Sequence, residues 1–113
     1  MVVVASTALA PIMSCREAIE ATWPADLQQE AITVLDHENR HENPQAIGQP
    51  NSDGSQDFGC FQINNRYHPD FFSTKDWKNP EENAIFAYQI YSDRVNMGKN
   101  GWSAWYAVEG ILW

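Results

Sequence analysis

Apolar and polar residues follow two rhythms along this chain, one of about 3.6 residues and one of two. Ser14, with Glu17 three residues later, forms a capping-box pattern that opens a short helix. Pro24 suits the first turn of a second helix, along which Leu27, Ala31, Val34 and Leu35 recur at helical spacing. That helix is expected to run to about Arg40 and to stop before Asn43-Pro44, because a residue preceding proline avoids helical dihedrals. From Gly48 to Asn64 the pattern changes. The polar cluster Asn51-Ser52-Asp53-Gly54 is followed by Phe58, Cys60, Phe61 and Ile63, which predicts a turn and a small antiparallel sheet. Asn79-Pro80-Glu81-Glu82 supplies a cap, a proline and first-turn acids for a third helix. This helix continues through Ala84, Ala87, Tyr88, Tyr91 and Val95 as one apolar face and ends at Gly98. A last short helix is expected from Ser103 to Glu109. The sum is an α+β fold, mainly α, with a small antiparallel sheet beside a helical core.

Composition narrows the function more than the fold. A chain of 113 residues supports one hydrophobic core, so residues 14 to 113 are expected to form a single domain. A formal net charge of −8 excludes a nucleic-acid partner, which needs a basic footprint. Residues 2 to 13 are mostly apolar and contain the A-x-A of Ala8-Leu9-Ala10, which reads as the remnant of a secretory signal or, since no Lys or Arg precedes it, as an ordinary N-terminal segment. The stretch is too short to span a bilayer. Cys15 and Cys60 allow one disulfide, and two free buried thiols fit the sequence equally well. The five tryptophans suit either sugar rings or core packing.

Glu38 is the first chemical clue. It continues the apolar stripe of the second helix, eleven residues and so close to three turns after Leu27. A carboxyl aimed at apolar surroundings has a raised pKa and becomes a proton donor usable near neutrality. A solvated glutamate at a fraying helix end is the bland alternative. A competing motif overlaps it: His37-Glu38-Asn39-Arg40-His41 matches H-E-x-x-H, with two imidazoles one turn apart for zinc and Glu38 as general base. Polar Asn39 and Arg40 inside the motif, and a helix that ends almost at once, weigh against zinc and favour a solvated polar flank.

The second clue is the run from Asn51 to Asn64. As a calcium loop it fails, because the glycine is misplaced and position 62 is Gln rather than Glu. As a hairpin it places Asp57 where the turn becomes a strand. Gly59 leaves room for close approach to the backbone. Gln62 and Asn64, alternating with Phe61 and Ile63, are expected on the polar face, within reach of a polyhydroxylated ligand or simply solvated.

The segment N-x-D-G-S-x-D-[FY]-G-x-x-Q-I-N, continued here by Asn65-Arg66-Tyr67, resembles the signature of c-type lysozymes and of the related goose-type and lytic transglycosylase-like domains. Gly101-Trp102-Ser103-Ala104-Trp105-Tyr106-Ala107 resembles the G-x-x-A-W-x-A of the same superfamily. The resemblance covers roughly residues 22 to 108. It implies a lysozyme-like fold in which Glu38 is the general acid, Asp57 the second carboxylate and Trp105 the shield of Glu38. It also implies sugar contacts from Asn51, Gln62, Asn64, Tyr67, Trp105 and the Ala104 backbone. The expected partner is the glycan strand of peptidoglycan, cut at the β-1,4 bond between N-acetylmuramic acid and N-acetylglucosamine. No cofactor, metal or membrane partner is implied, and a monomer is expected. The place of action is secreted, periplasmic or phage-associated.

Lytic transglycosylation through the same Glu38 is the alternative. A glycan- or partner-binding protein without catalysis, or a zinc protease, is further off. The chain departs from the c-type pattern in lacking its disulfide set and in placing His68 where an aromatic sugar platform is expected, which implies a bacterial or phage-type relative. Its acidic surface is also a poor match for an anionic wall, since like charges slow encounter.

Overall fold

The computed structural model describes residues 12–113, so the apolar segment from residue 2 to 13 lies almost wholly outside the described residues. Helix α1 (Cys15–Thr22) opens on the expected capping box. Ser14 Oγ accepts the Glu17 amide at 3.0 Å, and Glu17 Oε1 accepts the Ser14 amide at 3.0 Å. A 3-10 turn (Ala25–Leu27) leads into α2 (Gln28–Glu38), which buries Ala31, Val34 and Leu35. The helix stops at Glu38 rather than near Arg40. Asn39 leaves helical geometry at φ −141°, ψ 77°, and its side chain folds back into the protein.

Strands β1 (Asp57–Phe58) and β2 (Ile63–Asn64) pair antiparallel, with Asp57 opposite Asn64 and Phe58 opposite Ile63. Ile47 bridges to Phe58 on the other side of β1. A short helix α3 (Pro69–Thr74), absent from the sequence reading, follows and buries Phe71. Helix α4 (Pro80–Asn96) starts where Asn79 Oδ1 accepts the amides of Glu81 and Glu82 at 2.9 and 3.1 Å. Its buried face is Asn83, Ala84, Ala87 and Ile90, and Val95, expected on that face, is exposed instead. The expected helix from 103 to 109 is two 3-10 turns, Gly101–Ala104 and Tyr106–Val108, divided by Trp105 in an extended conformation.

The core is built around Trp23, which stacks on Trp102 at 5.2 Å between ring centroids and lies 5.7 Å from Phe61. Trp23, Trp102 and Trp105 are all buried, and each indole N–H has an acceptor: the Ala84 carbonyl, Glu30 Oε2 and the Phe61 carbonyl respectively. For these three tryptophans core packing is therefore the observed role.

The hairpin is tied to the helices at its tip. Cys15 of α1 and Cys60 are joined by a disulfide, with both residues fully buried. Asn83 of α4, also fully buried, donates to the carbonyls of Phe58 and Trp77 at 3.2 and 3.1 Å and accepts the Phe61 amide at 2.9 Å. Gly59, at φ +79°, packs directly on the Asn83 carboxamide, where a Cβ would collide. A carboxamide that bonds three backbone groups, one of them the buried Phe61 amide, is costly to remove, because that amide would lose its acceptor.

The disulfide closes a 45-residue separation. Replacing Cys15 and Cys60 together with alanine is expected to lower unfolding free energy by about 2–4 kcal/mol. Urea unfolding followed by tryptophan fluorescence checks this; an unchanged midpoint would mean that the bridge adds nothing to the remaining tethers.

Candidate active site

Glu38 closes α2 with its carboxyl half-buried. Burial, which disfavours the charged form, and the nearby negative charge of Asp57 together raise its pKa to about 7. The backbone N–H of Ala107, in the turn packed on α2, and the charge of His37 pull in the opposite direction and do not overcome burial. The stripe in the sequence therefore ends on a carboxyl that stays protonated close to neutrality.

Asp57 begins β1, half-buried, and both of its carboxylate oxygens are held. Oδ1 accepts Asn64 Nδ2 at 3.0 Å from the partner strand, and Oδ2 accepts Asn51 Nδ2 at 3.4 Å. The same two amides donate to Ser55 Oγ, at 3.1 Å from Asn51 and 3.0 Å from Asn64. Ser55 in turn donates to Asp53 Oδ1, and Asp53 faces Arg66 at 3.5 Å. Asn64 Oδ1 accepts the amides of Arg66 and Tyr67, which fixes its orientation and leaves the Nδ2 group directed at Asp57. The two carboxyls thus sit in opposite environments, one desolvated and one surrounded by fixed donors.

The residues expected to touch sugar are placed unevenly. Asn51 and Asn64 are drawn together on Asp57. Gln62 adopts φ +53° and turns its amide inward, donating to the carbonyls of Ala46 and Gly59 at 3.3 and 3.0 Å, so it does not share an open polar face with Asn64. Phe61 and Ile63 are buried as the alternation requires. Tyr67 is exposed, Ala104 half-buried, and Trp105 is 4% exposed and packed on Phe61 and Trp102. From this part of the chain the Ala107 backbone N–H reaches the Glu38 carboxyl. Ser55 and Ala107 were missed in the sequence. Ser55 lies inside the hairpin motif, two residues before Asp57, whereas nothing local marks the Ala107 amide.

The H-E-x-x-H pattern does not form a metal-binding helix face. α2 ends at Glu38, so His41 lies in the turn beyond it, and His37 Nδ1 donates to the Thr33 carbonyl at 2.8 Å on the exposed side. Among the described residues no three His, Cys, Asp or Glu side chains are grouped to hold a metal ion.

Residues 25–106 match the model of the lysozyme-like domain family. The chain is 30% identical over 89 residues to Lysozyme 2 of Lucilia sericata, covering 64% of this chain and 55% of that protein. It is 36% identical over 80 residues to Lysozyme X of Drosophila melanogaster, with the same coverage. The chain spans about half the length of these two relatives. A crystal structure of a lysozyme from Litopenaeus vannamei superposes with a TM-score of 0.66 at 23% identity, over 91% of this chain and 89% of that one, and so shares the fold. A family match that runs from the turn before α2, through the hairpin, to Tyr106 spans well over half of the chain and makes it a member of the lysozyme-like domain family.

Proposed function

We propose that this protein is a muramidase that cleaves the β-1,4 bond between N-acetylmuramic acid and N-acetylglucosamine in peptidoglycan. The observation that carries this reading is the pair itself: a carboxyl kept protonated to about pH 7 at the end of α2, beside an aspartate held by two asparagine amides. Glu38 protonates the glycosidic oxygen as it leaves. Asp57 stabilises or traps the oxocarbenium-like centre, and Glu38, now ionised, takes a proton from the water that completes hydrolysis. Asn51 and Asn64 hold Asp57 in place, and Tyr67 and the Ala104 backbone contact the sugar chain. The disulfide fits an oxidising setting outside the cytoplasm, where the wall is reached. Among the described residues no helix is long and apolar enough to cross a membrane. The protein acts as a monomer and needs no cofactor.

Purified protein is expected to clear peptidoglycan suspensions, and Glu38→Gln to abolish clearing while the fold persists. Asp57→Asn is expected to lose at least ~10²-fold in rate, the lower range for a positioned acid–base group. Mass spectrometry of the products is expected to show reducing ends. Anhydromuramic ends, with Asp57→Asn nearly as active as wild type, would instead mean that the sugar's own 6-hydroxyl attacks and that the enzyme is a lytic transglycosylase. No clearing at all, with the fold intact, would leave a glycan-binding role.

Glu38 also leaves a signature in stability. Its folded pKa of about 7 exceeds its ordinary value of 4.5, so between these pH values the folded state keeps a proton that the unfolded state has lost. Stability therefore falls as pH rises through that window, and above it the buried carboxylate exerts its full penalty. Glu38→Gln is expected to raise Tm at pH 8 and to change it little at pH 4. Thermal melts at both pH values check this, and an equal effect at the two would show that Glu38 is not desolvated.

A further inference from the structure

Asn39 follows Glu38 directly, and its carboxamide is 6% exposed. Nδ2 donates to the Gly59 carbonyl at 3.3 Å and to the Asn43 carbonyl at 2.7 Å, while Oδ1 accepts the Asn43 amide at 3.1 Å. These bonds connect the end of α2 to the Asp57 hairpin by two routes. One is direct, since Gly59 lies two residues after Asp57. The other runs through the loop that leaves Asn39. The Ala46 amide donates to the Asn43 carbonyl at 3.1 Å, the Ala46 carbonyl accepts the Gly59 amide at 2.8 Å, and the Gly48 amide donates to Asp57's own carbonyl at 2.8 Å. The loop from 39 to 48 is thereby laid along β1, and Asn39 closes its near end.

From these contacts we propose that Asn39 is a positioning residue that sets the placement of Asp57 relative to Glu38, without touching substrate itself. The inference rests on the muramidase reading for its catalytic meaning and on the hydrogen bonds alone for its geometry. The carboxamide suits the task because it donates to two carbonyls and accepts one amide at the same point. Alanine makes none of these bonds and an aspartate cannot donate, so either substitution removes the direct bond from the end of α2 to the Gly59 carbonyl, which then keeps only donors from the hairpin itself, and loosens the loop at Asn43. The hairpin is still held by Cys15 and Asn83, so it stays folded but is free to shift against the end of α2.

Among the described residues, the Glu38 carboxyl feels the charge of Asp57 from the hairpin, the charge of His37 from its own helix and the Ala107 amide from the turn after Trp105. Loosening the hairpin weakens the influence of Asp57 and the burial of Glu38 and leaves the other two in place. Both changes lower the Glu38 pKa.

The test is a double-mutant cycle in the full-length chain. The Glu38 carboxyl is titrated by carbon-13 NMR in wild type, Asn39→Ala, Asp57→Asn and the double variant. Asn39→Ala is expected to lower the midpoint by about half a pH unit or more. In the Asp57→Asn background the same substitution is expected to lower it by measurably less, because only the change in burial remains. The turnover rate on peptidoglycan fragments is expected to fall roughly tenfold or more, with KM changed little, as for a misplaced rather than a missing group. Equal shifts in both backgrounds, or no shift, would overturn the proposal, since a residue that only adds stability does not act through Asp57. If Asn39→Ala does not fold, Asn39→Ser enters the same cycle with the same two outcomes. A wild-type protein that fails to cleave peptidoglycan would sink the muramidase reading, and the carboxyl titrations would still decide the placement of Asp57 by Asn39.

Discussion

A carboxyl that stays protonated near neutrality must be kept from water and close to a second negative charge, and both conditions cost the folded state free energy. In this molecule the two groups come from different elements. Glu38 ends a helix whose apolar stripe holds it against the core, and Asp57 begins a two-residue strand that is too short to hold a position by itself. The hairpin is therefore tied down from outside. α1 supplies Cys15, α4 supplies Asn83, the end of α2 supplies Asn39, and Trp105 donates its indole N–H to the carbonyl of Phe61 at 3.1 Å. These tethers converge on Gly59, Cys60 and Phe61, and they offset with local bonds what the carboxyl pair costs.

The electrostatic division between the two acids follows from the same arrangement. Asp57 keeps fixed donors on both oxygens, so its charge is compensated by the protein. Glu38 has one backbone N–H against a desolvated setting, so its proton is retained. Because the donors on Asp57 are side chains of the hairpin itself, this half of the site is built locally. The half that holds Glu38 depends on packing between α2 and the turn after Trp105.

How much of this was legible in the sequence depends on how local each feature is. The capping box at Ser14 and Glu17, the cap at Asn79 and the stripe leading to Glu38 arise from neighbours within a few residues, and each was read correctly. The hairpin around Asp57 was legible for the same reason. The end of α2 was misjudged because what draws Asn39 out of the helix includes the carbonyl of Gly59, twenty residues away. Helix α3 was missed because six residues with one buried phenylalanine carry no measurable period. The expected last helix is split at Trp105, whose indole is drawn to Phe61, forty-four residues earlier. Gln62 fits an alternating pattern on paper, yet a left-handed backbone conformation turns its amide inward. The pairing of Cys15 with Cys60 likewise became visible only once α1 and the hairpin were seen packed together.

The account depends most on the protonation state of one group. Carbon-13 NMR titration of the Glu38 carboxyl in the wild-type protein tests it directly. The account predicts a midpoint of about 7, far above the ordinary 4.5 of a glutamate. A midpoint near that ordinary value would contradict it, because Glu38 would then be ionised at neutral pH and could not serve as the proton donor.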